Sequence, residues 1–84
     1  MLPRMDITPA QSRAARGLAG LTQDDLARLS RVSKRTIVQF ETGAGKPIPA
    51  TLAAIQRALE GAGVEFIPGG ARLREQPAPA DTAS

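Results

Sequence analysis

The stretch Lys34-Arg35-Thr36-Ile37-Val38-Gln39 puts two cations, a hydroxyl and an amide within six consecutive residues. These side chains suit recognition better than covalent chemistry. An arginine can donate to guanine O6 and N7 together, and a glutamine can pair with adenine N6 and N7. Val38 is hard to justify on the same outward side unless it meets an apolar group such as a thymine methyl. Lys34 and Arg35 stand where a helix should begin. Cations are mildly unfavourable there, so two in succession ask for a reason beyond a solvated helix start. The free backbone N–H groups at such an end also favour phosphate.

Nucleophilic and metal chemistry have little to draw on. There is no His and no Cys, the carboxylates form no convergent pair, and so short a chain leaves little room for a pocket. No catalytic residue, cofactor or metal site is expected, hence no enzyme. A small-molecule effector is not expected either, because no separate sensing domain fits.

The elements that must hold these residues have to come from one domain, since 84 residues allow no more. A domain of this size is marginal alone. Without disulfides or zinc it depends on helix packing and self-association. The net charge is +3 and the isoelectric point about 10.6. The excess is concentrated: Thr8 to Lys46 holds seven basic residues against three acidic ones. That favours a nucleic-acid or other acidic partner. No apolar run approaches the roughly 20 residues of a membrane span, and the first residues lack the apolar core of a signal peptide. A cytoplasmic protein with no membrane contact is expected.

Residues 1–7 form a loose leader in this reading. Thr8-Pro9-Ala10-Gln11 then carries a capping hydroxyl, a proline at the first helical position and a glutamine three residues on. The first helix should run to about Leu18, with Ala10, Ala14, Ala15 and Leu18 inward. Thr22 caps a second helix, helped by Asp24 and Asp25 in its first turn. Leu26, Ala27 and Leu29 face the core, and the helix stops near Ser30. Ser33 caps a third helix of about nine residues with Ile37 and Phe40 inward, ended by Gly43. A Gly-Lys-Pro loop leads to a fourth helix, about Pro49 to Glu60, with the stripe Leu52, Ile55, Leu59. Val64–Ile67 is short and β-prone, Pro68-Gly69-Gly70 signals a turn, and a small hairpin follows. Arg72 and Arg74 would form its wet face. Residues 76–84 have the composition of a disordered tail.

Thr22 to Gly43 holds two short helices separated only by Arg31-Val32-Ser33. So short a break prevents an antiparallel pair and forces the crossing of a DNA-reading helix-turn-helix unit. With Arg16, Leu21-Thr22-Gln23, Leu26-Ala27, Val32-Ser33, Thr36-Ile37, Phe40-Glu41 and Gly43, the segment resembles the phage Cro and repressor family, also called the xenobiotic-response-element family. The likeness covers about Thr8 to Val64. It implies a mainly α, lambda-repressor-like four-helix domain over residues 8–63, with the motif at 22–43; the short C-terminal strand or hairpin at 64–75 is read from the residues themselves.

The resemblance also implies roles. Gln23 would contact a phosphate. Lys34, Arg35 and Gln39 would enter the major groove, and Thr36 and Lys46 would touch the DNA backbone. Arg16 and Glu41 would form an ion pair inside the protomer. One position departs from the common pattern: Arg31 stands where the family often has glycine, for which a left-handed backbone is easy. Either the turn differs, or Arg31 is kept for a phosphate contact. Beyond the fourth helix the phage repressors have a fifth, whereas strands are expected here.

A single recognition helix reads only about 3–5 base pairs, too few for a genome. Two-fold dimerisation is the usual remedy. Val64, Phe66, Ile67 and Leu73 are the expected dimer residues, since an isolated hairpin is marginal unless it pairs or docks. The expected function is a sequence-specific transcriptional regulator of repressor type, a homodimer on double-stranded DNA that can control its own gene. The alternative is a protein-interaction module on the same fold, anti-activator or antitoxin-like.

Overall fold

The computed structural model describes residues 6–74. Most of the expected leader, and the tail from residue 76, lie outside the described residues.

Four helices are followed by a hairpin: α1 (Pro9–Ala19), α2 (Gln23–Ser30), α3 (Lys34–Thr42), α4 (Pro49–Gly61), β1 (Val64–Ile67) and β2 (Gly70–Leu73). The local signals act as their chemistry predicts. Thr8 accepts from the Gln11 N–H while the Gln11 side chain returns to the Thr8 N–H, and Thr22 and Asp25 form the same reciprocal cap on α2. Ser33 caps α3. Gly43 ends α3 at φ 79°, a left-handed conformation that costs glycine nothing. No helix among the described residues is long and apolar enough to cross a membrane.

The core comprises Ile7, Ala15, Leu26, Ile37, Phe40, Leu52, Ile55, Leu59 and Val64. Four inward assignments, on α1 and α2, and one outward assignment need correction. On α1 the buried residues are Gln11, Ser12 and Ala15, whereas Ala10, Ala14 and Leu18 are exposed. The two faces lie side by side around the helix, and alanines distinguish them poorly because they carry so little apolar area. The polar face wins because each of its polar groups finds a partner inside. On α2, Leu29 is 51% exposed, while Leu26 is buried and Ala27 packs half-buried against the core. Ile7, assigned to a loose leader, is 4% exposed and packs with the core.

The hairpin is antiparallel, with Val64 opposite Leu73 and Ile67 opposite Gly70. It leans on its own helices, α1 and α4. The buried amide of Gln11 donates to the carbonyls of Ile67 (2.9 Å) and Gly70 (3.0 Å), clamping the turn to α1. Docking within the protomer thus supplies the support that a lone hairpin lacks. It also removes Val64 from the expected dimer residues: at 1% exposure its side chain is committed to the protomer's core. Phe66 and Ile67 are half-buried, and Leu73 is 53% exposed.

Candidate nucleic-acid interface

α2 and α3 meet through a turn locked from within. The Ser30 hydroxyl donates to the Leu26 carbonyl (2.7 Å) and accepts from the Val32 N–H (3.3 Å). Arg31 adopts φ 60°, the single non-glycine positive φ among the described residues. The chain therefore keeps the left-handed turn that glycine would favour and absorbs the strain, on the order of 1–2 kcal/mol.

This turn leaves the outer side of α3 uncovered. Lys34, Arg35 and Gln39 are exposed, while Thr36 and Val38 are half-buried; Val38 is less open than expected. Arg35 and Gln39 stand one turn apart, as do Lys34 and Val38, so each pair shares a face. The Ser33 hydroxyl donates to Thr36 Oγ1 (2.9 Å). The Thr36 hydroxyl hydrogen is thereby left to donate outward. The loop after α3 is tied back, because the N–H groups of Ala44 (2.9 Å) and Gly45 (3.1 Å) both donate to the Gln39 carbonyl. That anchorage sets Lys46 beside Thr36 and Gln39 on a shallow groove of about 290 Å3 between α3 and the start of α4. Among the described residues, the side chains of Arg35, Gln39 and Lys46 make no hydrogen bond or ion pair.

The positive charge is sorted by these contacts. Each acidic residue between Thr8 and Lys46 holds one cation: Glu41 with Arg16 at 2.7 Å, Asp25 with Arg28 at 3.0 Å, and Asp24 with Lys34 at 3.2 Å. Arg13, Arg31, Arg35 and Lys46 are left outside ion pairs among the described residues, and Arg13 donates to the Glu41 carbonyl. On the hairpin, Arg72 pairs with Glu65 at 3.2 Å and Arg74 donates to the Glu60 carbonyl at 2.8 Å.

Glu41 is the hub behind this surface. It is 1% exposed. Its carboxylate accepts from Ser12 Oγ (2.6 Å), Arg16 Nε (2.9 and 3.0 Å), Arg16 Nη2 (2.7 Å) and Gln23 Nε2 (3.1 Å). Burial pushes the Glu41 carboxyl up. The hydrogen bonds from Arg16, Ser12 and Gln23, with the Arg16 charge, outweigh it and hold the group below the usual carboxylate range. Three helices are joined at one charge. Gln23, expected to face phosphate, is half-buried with one amide N–H committed inward, which leaves its second N–H for an outside acceptor. Ser12 did not figure among the expected site residues. Its signal was spacing, since it precedes Arg16 by four residues and so lies on the same face of α1.

A family model described as Helix-turn-helix matches residues 13–66, well over half of the chain. No curated protein matches the sequence.

Proposed function

The chain belongs to the Cro/C1-type helix-turn-helix family, a family of DNA-binding domains, and from that premise we propose that it is a sequence-specific transcriptional regulator acting as a homodimer on a two-fold operator. The observation that carries this reading is the outer face of α3. Arg35 and Gln39 stand one turn apart, exposed and without partners among the described residues. Groups so placed are free to pair with guanine and adenine edges in the major groove. Thr36, Lys46 and the second N–H of Gln23 would hold phosphates and set the register. Val38 would offer apolar contact to a thymine methyl.

One short helix supplies too little information by itself, so two copies are needed. Leu73, with parts of Phe66 and Ile67, is the hairpin surface that remains for a second copy. Such a regulator would control its own gene, which makes its own promoter the first operator to try.

The test is a titration of the full-length protein against duplexes from upstream of its own gene and scrambled controls, with footprinting. Sedimentation at tens of micromolar would be run alongside. A protected two-fold site and a dimeric mass are expected, with half-sites about 10–10.5 base pairs apart or a multiple of that. A protein that prefers no duplex would instead act as a protein-interaction module. Ile48, 66% exposed at the start of α4, would be the first contact to examine in that case.

A further inference from the structure

Asp24 and Asp25 are neighbours in the first turn of α2, but their carboxylates do different things. Asp25 accepts from the Thr22 N–H at 3.0 Å and pairs with Arg28, so it serves its own helix. Asp24 takes no part in the cap. Its Oδ1 lies 3.2 Å from Nζ of Lys34, the first residue of α3, and both side chains are open to solvent, at 69% and 55% exposure. The contact thus bridges the N-terminal turns of two helices across the motif. Among the described residues it is the only ion pair that engages a residue of the outer face of α3.

We propose that Asp24 is a specificity-determining residue that acts through Lys34, holding its ammonium back from the DNA backbone. The proposal rests on α3 being the DNA-reading helix. A free lysine at that position would meet any phosphate on any sequence, and each such contact strengthens binding everywhere. A paired lysine must first give up its carboxylate. An exposed pair is weak, worth up to about 5-fold in an equilibrium constant, yet a single phosphate contact is weak on the same scale. Exchanging Asp24 for a phosphate therefore gains little, and it leaves an unpaired carboxylate facing a polyanion. A guanine edge in the cognate site offers Lys34 two acceptors, O6 and N7, and repays the exchange. The pair would penalise random sequence more than the operator. A purely structural role, offsetting the cation at the start of α3, would alter stability without altering the salt dependence or sequence preference of binding.

The experiment is a double-mutant cycle on the full-length protein: wild type, Asp24→Asn, Lys34→Ala and the combination. Each is titrated against the footprinted duplex and a scrambled duplex at several salt concentrations, with thermal melts to confirm folding. Asp24→Asn is expected to tighten binding to the scrambled duplex by about 5-fold or less per protomer, and to the footprinted duplex by a smaller factor, so that the ratio between them falls. The salt slope on scrambled DNA should steepen by about 0.9 for each Lys34 that now neutralises a phosphate. In the Lys34→Ala background the same change should do nothing, and Asp24→Glu, which keeps the charge, should stay near wild type. An equal gain in the Lys34→Ala background would overturn the proposal in favour of direct repulsion between Asp24 and DNA. An unchanged ratio and slope, with wild-type preference intact, would overturn it while leaving α3 as the reader. A wild type without preference for any duplex would overturn both.

Discussion

The Glu41 hub and the outer face of α3 are built from the same side chains and behave as opposites. In the hub, Arg16 and Gln23 both donate to one carboxylate that is 1% exposed. On α3, Arg35 and Gln39 are exposed and engage nothing among the described residues. Residue type does not separate the two regions; what covers them does. Where α1 and α2 close over Glu41, a lost partner strands a charge in a poorly solvated place. Where α3 faces water, a lost side chain is replaced by solvent, and the loss is felt only when DNA arrives. The first region should therefore answer to stability measurements and the second to binding measurements.

The largest effect should come from breaking the hub. Glu41→Ala leaves the Arg16 guanidinium, 19% exposed, without its counter-charge and should destabilise the fold by about 3–5 kcal/mol. Chemical denaturation measures this, and any loss of DNA binding should follow from loss of folding. An unchanged melting temperature with abolished binding would place Glu41 in the reading surface and erase the contrast.

Acid should act on the same group. The Glu41 carboxyl is held below the usual carboxylate range in the folded protein. Its contribution is therefore complete above the unfolded value of about 4.3 and is lost as pH falls through the lower folded value. Asp25, also held low by its cap and by Arg28, acts in the same direction. Melting temperature should be flat with respect to these groups above about pH 5 and decline below about pH 4. In Glu41→Gln that decline should be shallower.

On the open side, Arg35→Ala and Gln39→Ala should each lose about 1–3 kcal/mol on the cognate duplex and relax preference at one position per half-site. Their melting temperatures should stay at the wild-type value. Competition with scrambled DNA is the check; an intact cognate-to-scrambled ratio would mean that another surface reads the sequence. Lys46→Ala should weaken all duplexes alike and reduce the salt slope by about 0.9 for each phosphate no longer neutralised. A loss confined to the cognate duplex would make Lys46 a base reader.

The smallest effect is expected at the turn between the two regions. Arg31 sits at φ 60°, so Arg31→Gly should stabilise the fold by about 1 kcal/mol through relief of left-handed strain. If the same variant binds DNA more weakly with a shallower salt slope, Arg31 is retained for phosphate. If binding is unchanged, the arginine is tolerated there without that function.

Caps, breaks and the apolar stripe were legible from local order because their causes are local. Thr8, Thr22 and Ser33 cap helices through hydroxyls that reach only three residues along the chain. Leu26, Ile37, Phe40, Leu52, Ile55 and Leu59 recur at the helical period and are all buried. The short Arg31–Ser33 break leaves one way to cross α2 and α3, and hence one helix face turned outward. The family likeness rested on the same residues.

What local order could not show is which polar groups would be taken inside. Gln11 and Ser12 look like surface residues of α1, and Ala10 and Ala14 like core. The reverse holds because Gln11 meets the carbonyls of Ile67 and Gly70, and Ser12 meets Glu41, from 29 to 59 residues away. Gln23 turns partly inward for the same reason, and Val64 belongs to the protomer because α1 and α4 already cover it. Apolar burial announces itself by period, since any apolar neighbour will do. Polar burial requires one particular partner at hydrogen-bond distance, and only the assembled tertiary structure brings that partner into place.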